Sequence, residues 1–263
     1  MKKKLYFLDI DGTLALGKTL IPGAASLIEE IHRQGAHCCY LTNNSSKGID
    51  EYLAQFEQWG IPADREEFMT AGIYVAKRLK AEFKDKKIFV LGTESFLFEC
   101  RREGLCVTQE AEEDVAAVLM AYDTELTYEK IRRVCRLLEV HRFIRPWYAT
   151  NADLCCPSEF GMVPDCGAIS KMISLAVGRE PEFLGKPDPG MIDYVLKQYE
   201  IARQDAMIVG DRLYTDIECG KRAGIATCLV LTGEETEDSE VADHCFLSVE
   251  GLAKNLHSER QSL

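Results

Sequence analysis

Along this chain, apolar runs of strand length alternate with stretches whose apolar residues recur every three to four positions. The runs fall at 5–9, 36–42, 87–91, 115–121, 143–149, 182–184, 206–210, 226–231 and 244–247. Ala24, Leu27, Ile28 and Ile31 make one helical face, entered at Pro22 and closed by Gly35. Similar patterns predict helices at 47–59, from an N-cap at Thr70 to 83, and at 94–103, 127–140, 167–177, 189–200, 214–223 and 248–256. Strand followed by helix, repeated, predicts an α/β fold with a parallel sheet wound by helices. No fixed-period repeat interrupts the pattern, and 258–263 reads as a frayed end.

The polar residues that break this pattern fall where the predicted strands stop. Leu5-Tyr6-Phe7-Leu8 runs into Asp9-Ile10-Asp11-Gly12-Thr13, Leu41 into Thr42-Asn43-Asn44, and Ile208-Val209-Gly210 into Asp211, with Asp216 close behind. Lys186 follows the short run at 182–184. The carboxyl ends of parallel strands share one edge, so these residues are expected to converge. Three carboxylates, a hydroxyl and an ammonium suit phosphoryl transfer, where catalysis is mostly positioning and electrostatics. Asp9 and Asp211, with the backbone carbonyl of Asp11, form an oxygen set for Mg²⁺. Asp9 is the candidate nucleophile and Asp11 the candidate acid and base. Thr42 and the N–H groups of Asn43 and Asn44 are placed to bind phosphoryl oxygens, and Lys186 to neutralise nucleophile and phosphate.

Composition narrows the classes. A net charge of −12 repels nucleic acid and anionic membrane surfaces, and no apolar stretch approaches ~20 residues, so a cytoplasmic protein is expected, with neither as partner. The eleven cysteines include the doublets Cys38-Cys39 and Cys155-Cys156 and no Cys-x-x-Cys pair, which reads as reduced thiols. Five histidines without metal-ligand spacing give no zinc site. Cys38, Cys39 and Cys228 read as core residues, and the acidic stretch 234–243 as a solvated loop.

Taken together, Asp9-Ile10-Asp11-Gly12-Thr13, Leu41-Thr42-Asn43-Asn44-Ser45-Ser46, Gly185-Lys186-Pro187 and Val209-Gly210-Asp211-Arg212 through Asp216 resemble the four motifs of the haloacid dehalogenase (HAD) superfamily, in its NagD-like subfamily. The resemblance spans essentially the whole chain. It implies a Rossmann-like core, a Mg²⁺ cofactor bound at Asp9, Asp11 and Asp211, Asp9 as nucleophile and Asp11 as acid/base. It also implies that Asp216 supports the metal or Lys186 from behind. A dehalogenase of the same superfamily needs neither Asp11 nor a metal, so phosphatase chemistry is the reading.

Spacing locates an inserted domain. Asp9 and Thr42 are 33 residues apart, one strand-helix-strand step, whereas Thr42 and Lys186 are 144 apart. Residues 1–80 and 181–263 are therefore expected to form a discontinuous core, and 81–180 an inserted α/β cap, with hinges near 80 and 180. The cap segment 149–169 resembles the subfamily's substrate-facing region, with Ala152 and Asp165-Cys166-Gly167 as departures; Asp153 or Asp165 is expected either as a structural cap or as an acid at the pocket mouth that disfavours strongly anionic leaving groups. The expected substrate is a small phosphorylated metabolite of nucleotide, sugar phosphate or phosphoglycolate type. A homodimer is left open. The alternative is a catalytically retired fold that binds a metabolite or a protein.

Overall fold

The computed structural model describes residues 1–140, 145–158 and 160–261; of the expected strand at 143–149, residues 143 and 144 lie outside this set, as do 262 and 263. Contacts gather the chain into two compact units. The first is Met1–Thr42, Leu53–Met69 and Lys186–Leu263, and the second is Asn43–Tyr52 and Thr70–Gly185.

The first unit is built on a six-stranded sheet in the order His244–Phe246, Ala226–Val230, Ala206–Gly210, Leu5–Leu8, His37–Thr42, Phe68–Thr70. Leu5–Leu8 and Ala206–Gly210 are buried along their whole length, the pattern of strands covered by helices on both faces. The register pairs Leu8 with Val209 on one side and with Tyr40 on the other, all in parallel. One residue further along each strand, Asp9 therefore reaches the carboxyl edge beside Gly210 and Leu41. The backbone N–H of Asp9 extends the ladder to Val209 O at 3.0 Å. Tyr40, Phe56 and Phe68 pack edge to face or tilted, with centroids 4.5–5.1 Å apart, and close the sheet's far side.

The helices fall where periodicity places them, with one addition near the site and one extension at the C-terminus. Residues 213–217 form a π-helical turn, in which Ile217 N bonds Arg212 O at 3.2 Å, before the α-helix Glu218–Ala223 begins. The C-terminal helix runs from Val249 to Gln261, past the point where the sequence reads as frayed. Phe68–Thr70 carries no sequence signal because three residues are too few to show a period.

The second unit has a five-stranded sheet in the order Glu182–Phe183, Trp147–Ala149, Ala117–Met120, Lys87–Leu91, Cys106–Thr108, paired in parallel throughout. Its core joins Phe89, Val118, Met120 and Trp147 from the sheet to Leu138, Ile169 and Ile173 from the helices. The antiparallel hairpin Cys155–Ser158 with Gly161–Pro164 was not foreseen; its Cys-Cys-Pro and Gly-Met-Val-Pro strands lack the alternation that marks a half-buried strand. This unit takes in Asn43–Tyr52, and its main segment begins at Thr70, whose hydroxyl caps the helix Ala71–Phe83. That division of the chain differs in detail from the one spacing suggests, because spacing measures the length of an insertion and not which sheet its first helix packs against. All eleven cysteines are free thiols, with Cys38, Cys39 and Cys228 buried.

Candidate active site

At the carboxyl edge of the first unit's sheet, Lys186 is 3% exposed and its ammonium donates to three oxygens. They are Asp9 Oδ1 at 2.6 Å, Asp216 Oδ1 at 2.6 Å and the Leu41 carbonyl at 3.0 Å. Burial works against its charge, but Asp216 and Asp9 outweigh that and hold its pKa above the ordinary lysine value. The π turn places Asp216 here: its second oxygen accepts from Arg212 N at 3.2 Å, at the start of the turn. Such turns insert one residue into a helix and redirect side chains.

Asp211 follows the strand Ala206–Gly210 and is 1% exposed. Glu234 N donates to its Oδ2 at 2.8 Å and Thr13 Oγ1 to its Oδ1 at 3.3 Å. Burial and the charge of Asp216 nevertheless push its pKa up to about 6. Asp9 lies well above the ordinary carboxylate value, through burial first, with Asp216 and Asp211 adding to it and Lys186 opposing. Asp9, Asp211 and Asp216 each present an oxygen within 4.8 Å of the others. Three carboxyl groups converge beside one ammonium, and burial with their mutual repulsion disfavours charge on Asp9 and Asp211, so the donor set fits a hard divalent cation that would relieve that repulsion.

Gly12 is shaped by the same crowding. Its φ is +94°, and a Cβ there would run into the Asp211 carboxylate. The turn brings Gly12 N to Ala15 O at 2.8 Å and leaves the Asp11 side chain partly exposed, outside the group of three. Thr42 ends its strand, 2% exposed. The structure thus gathers Asp9, Lys186, Asp211 and Asp216, whereas Asn43 and Asn44 belong to the second unit. There Asn43 Nδ2 donates to Asp153 at 2.9 Å, and Asn44 Oδ1 accepts from Ser46 N at 3.0 Å.

The loop after Ala226–Val230 supplies residues that sequence reasoning missed. Thr232 Oγ1 donates to Gly12 O at 2.7 Å, and Glu235 N to Asp211 O at 3.2 Å. Two members of the acidic stretch thus hold Asp211 through their backbone, and Asp243 accepts from Thr227 N at 2.8 Å, so the stretch is more than a solvated loop. The available signal was Thr232-Gly233, a turn at the carboxyl end of a core strand. Asp165 does cap the helix Cys166–Val177, accepting from Cys166 N.

No helix among the described residues is long and apolar enough to cross a membrane. Residues 6–106 match the family model described as haloacid dehalogenase-like hydrolase, and residues 183–252 match a further HAD hydrolase model. An acid sugar phosphatase of Staphylococcus haemolyticus is 34% identical over 89% of this chain and 87% of its own length. The 5'-nucleotidase YutF of Bacillus subtilis is 29% identical over 94% of this chain and 96% of its own. Among solved structures, a 4-nitrophenylphosphatase from Thermotoga maritima superposes with a TM-score of 0.89 at 33% identity, covering 96% of this chain and 97% of that one. The chain belongs to the haloacid dehalogenase-like hydrolases, in their NagD-like branch, and is a phosphatase acting on phosphoric monoesters.

Proposed function

We propose that this phosphatase hydrolyses small phosphomonoesters, of nucleotide, sugar phosphate or phosphoglycolate type, through an aspartyl-phosphate on Asp9, with Mg²⁺ as cofactor. The observation that carries the reading is the buried excess of carboxylate around Lys186. Asp9, Asp211 and the Asp11 carbonyl are the residues that would hold the cation. When bound, it offsets the charge that otherwise repels a phosphate dianion.

An oxygen of Asp9 attacks phosphorus and the ester bond breaks. Lys186, 2.6 Å from Asp9, favours the ionised carboxylate and fixes its direction. Asp11, partly exposed, gives a proton to the leaving alkoxide and takes one from the water that cleaves the acyl phosphate. Thr42, with the N–H groups of Asn43 and Asn44 that follow it, holds the phosphoryl oxygens, and the second unit acts as the cap that selects the leaving group. The names of the relatives, acid sugar phosphatase and 5'-nucleotidase, support the substrate range.

The test is phosphate release from a broad phosphomonoester panel, in Mg²⁺ or in EDTA, for wild type and Asp9→Asn. Turnover that needs Mg²⁺ and is lost in the variant supports the reading. Equal turnover in EDTA, or an active Asp9→Asn, would refute it.

A further inference from the structure

In the second unit's sheet the strand order changes direction at Lys87–Leu91, with Cys106–Thr108 on one side and Ala117–Met120 on the other. The crevice outside the carboxyl ends at such a switch point is where open α/β sheets bind ligands. Here the chain's own residues 45 and 46 meet the residues that follow the strands. Ser45 Oγ, 1% exposed, accepts from Tyr122 N at 2.9 Å and shares a hydrogen bond of 2.8 Å with Thr150 Oγ1. Thr93 Oγ1 donates to Ser46 O at 2.8 Å. The loop that begins at Asn43 is thus mounted on three strand ends.

A second set of bonds grips the start of that loop. Asn43 Nδ2 donates to Asp153 Oδ2 at 2.9 Å, and Asn151 Nδ2 donates to Asn43 O at 2.9 Å. Asp153 N donates to Asn151 Oδ1 at 3.0 Å, and Asp153 O accepts from Gly167 N at 2.9 Å, at the start of the helix Cys166–Val177. Asn43, Asn151 and Asp153 are all buried. Gly185 packs into the same cluster: a Cβ there would collide with Thr150 O and come within 2.7 Å of Asn43 Oδ1. Asn43 directly follows Thr42, and Gly185 directly precedes Lys186.

We infer that Asp153 is a positioning residue for phosphoryl transfer: by fixing the Asn43 side chain it sets the direction of the loop whose N–H groups bind the phosphoryl oxygens. This rests on the phosphoryl-binding reading of Thr42, Asn43 and Asn44. A carboxylate accepting from an amide inside a buried network fixes one orientation, and misplacement by about 1 Å costs catalysis roughly 10²-fold.

The experiment compares wild type, Asp153→Ala, Asp153→Asn, Asn43→Ala and the Asn43→Ala/Asp153→Ala double variant. Hydrolysis of p-nitrophenyl phosphate in Mg²⁺ is read beside amide hydrogen exchange of residues 43–46. Asp153→Ala is expected to lower kcat about 10- to 100-fold with KM within about threefold, and to speed exchange at 43–46. Asp153→Asn, which keeps an acceptor oxygen, restores most of both, and the double variant is no slower than Asn43→Ala. Unchanged exchange in Asp153→Ala, or losses that multiply in the double variant, would overturn the inference. If Asp153→Ala does not fold, Asp153→Ser takes its place. A wild type without turnover would sink the phosphoryl-binding reading alone, and the exchange comparison would still decide the clamp.

Discussion

Lys186 and Asp216 stand 30 residues apart in sequence and meet at 2.6 Å with almost no exposure on either side chain. The ammonium is shared with Asp9 at the same distance, so one cation orients two carboxylates. Removing Lys186 leaves the carboxyl groups of Asp9, Asp211 and Asp216 together without the ammonium that lies among them.

Lys186→Met is therefore expected to abolish turnover and to destabilise the metal-free protein by roughly 3–5 kcal/mol, the cost of breaking a buried ion pair from one side. Denaturant unfolding in EDTA measures the second effect. A variant as stable as wild type would show that the two ion pairs of Lys186 contribute nothing to folding.

Asp9→Asn separates chemistry from folding. Turnover is expected to fall at least ~10³-fold, because an amide cannot replace the nucleophile. Its melting temperature in EDTA should rise, since burial, with Asp216 and Asp211 adding to it, outweighs Lys186 and disfavours charge at this position. Thermal melts without metal check the sign.

Adding Mg²⁺ to wild type should raise the melting temperature, and EDTA should reverse it. A cation that binds only the folded state stabilises it by about 2.7 kcal/mol at a hundredfold excess over Kd. The same titration on Asp211→Asn should show a smaller shift, because one of the three converging oxygens has lost its charge.

Gly12→Ala places a methyl group against the Asp211 carboxylate at a φ of +94°. The strain is on the order of 1–3 kcal/mol, and turnover should fall through displacement of Asp211. Comparing kcat with the Mg²⁺ concentration for half-maximal activity shows whether the displaced carboxylate weakens cation binding.

In the second unit, Arg145 is 4% exposed and donates to Val115 O at 2.8 Å and Leu137 O at 2.7 Å. Arg145→Leu is expected to cost roughly 1–3 kcal/mol for the carbonyls left unpaired. Urea unfolding should show a lower midpoint with an unchanged slope.

Much of this protein was legible along the chain, because burial of one face leaves a local period. Leu27, Ile28 and Ile31 mark their helix, Thr70 marks a helix start, and the apolar runs before Asp9 and Asp211 mark buried strands that end in charge. Those signals depend on neighbours a few residues away, so they survive without the fold.

Tertiary structure decided what depends on residues far apart. Strand order and register set the 2.6 Å approach of Lys186 to Asp9, across 177 residues of sequence, and the raised pKa of Asp211 follows from that packing. One extra residue in the turn at 213–217 directs Asp216, which no hydrophobic period encodes. The bond from Asn43 to Asp153 joins residues 110 positions apart and assigns the loop after Thr42 to the second unit's sheet. The sequence by itself determined which residues reach strand ends; their mutual distances, and the charge states that follow, come from long-range packing, because electrostatic coupling depends on separation in space and on burial rather than on position in the chain.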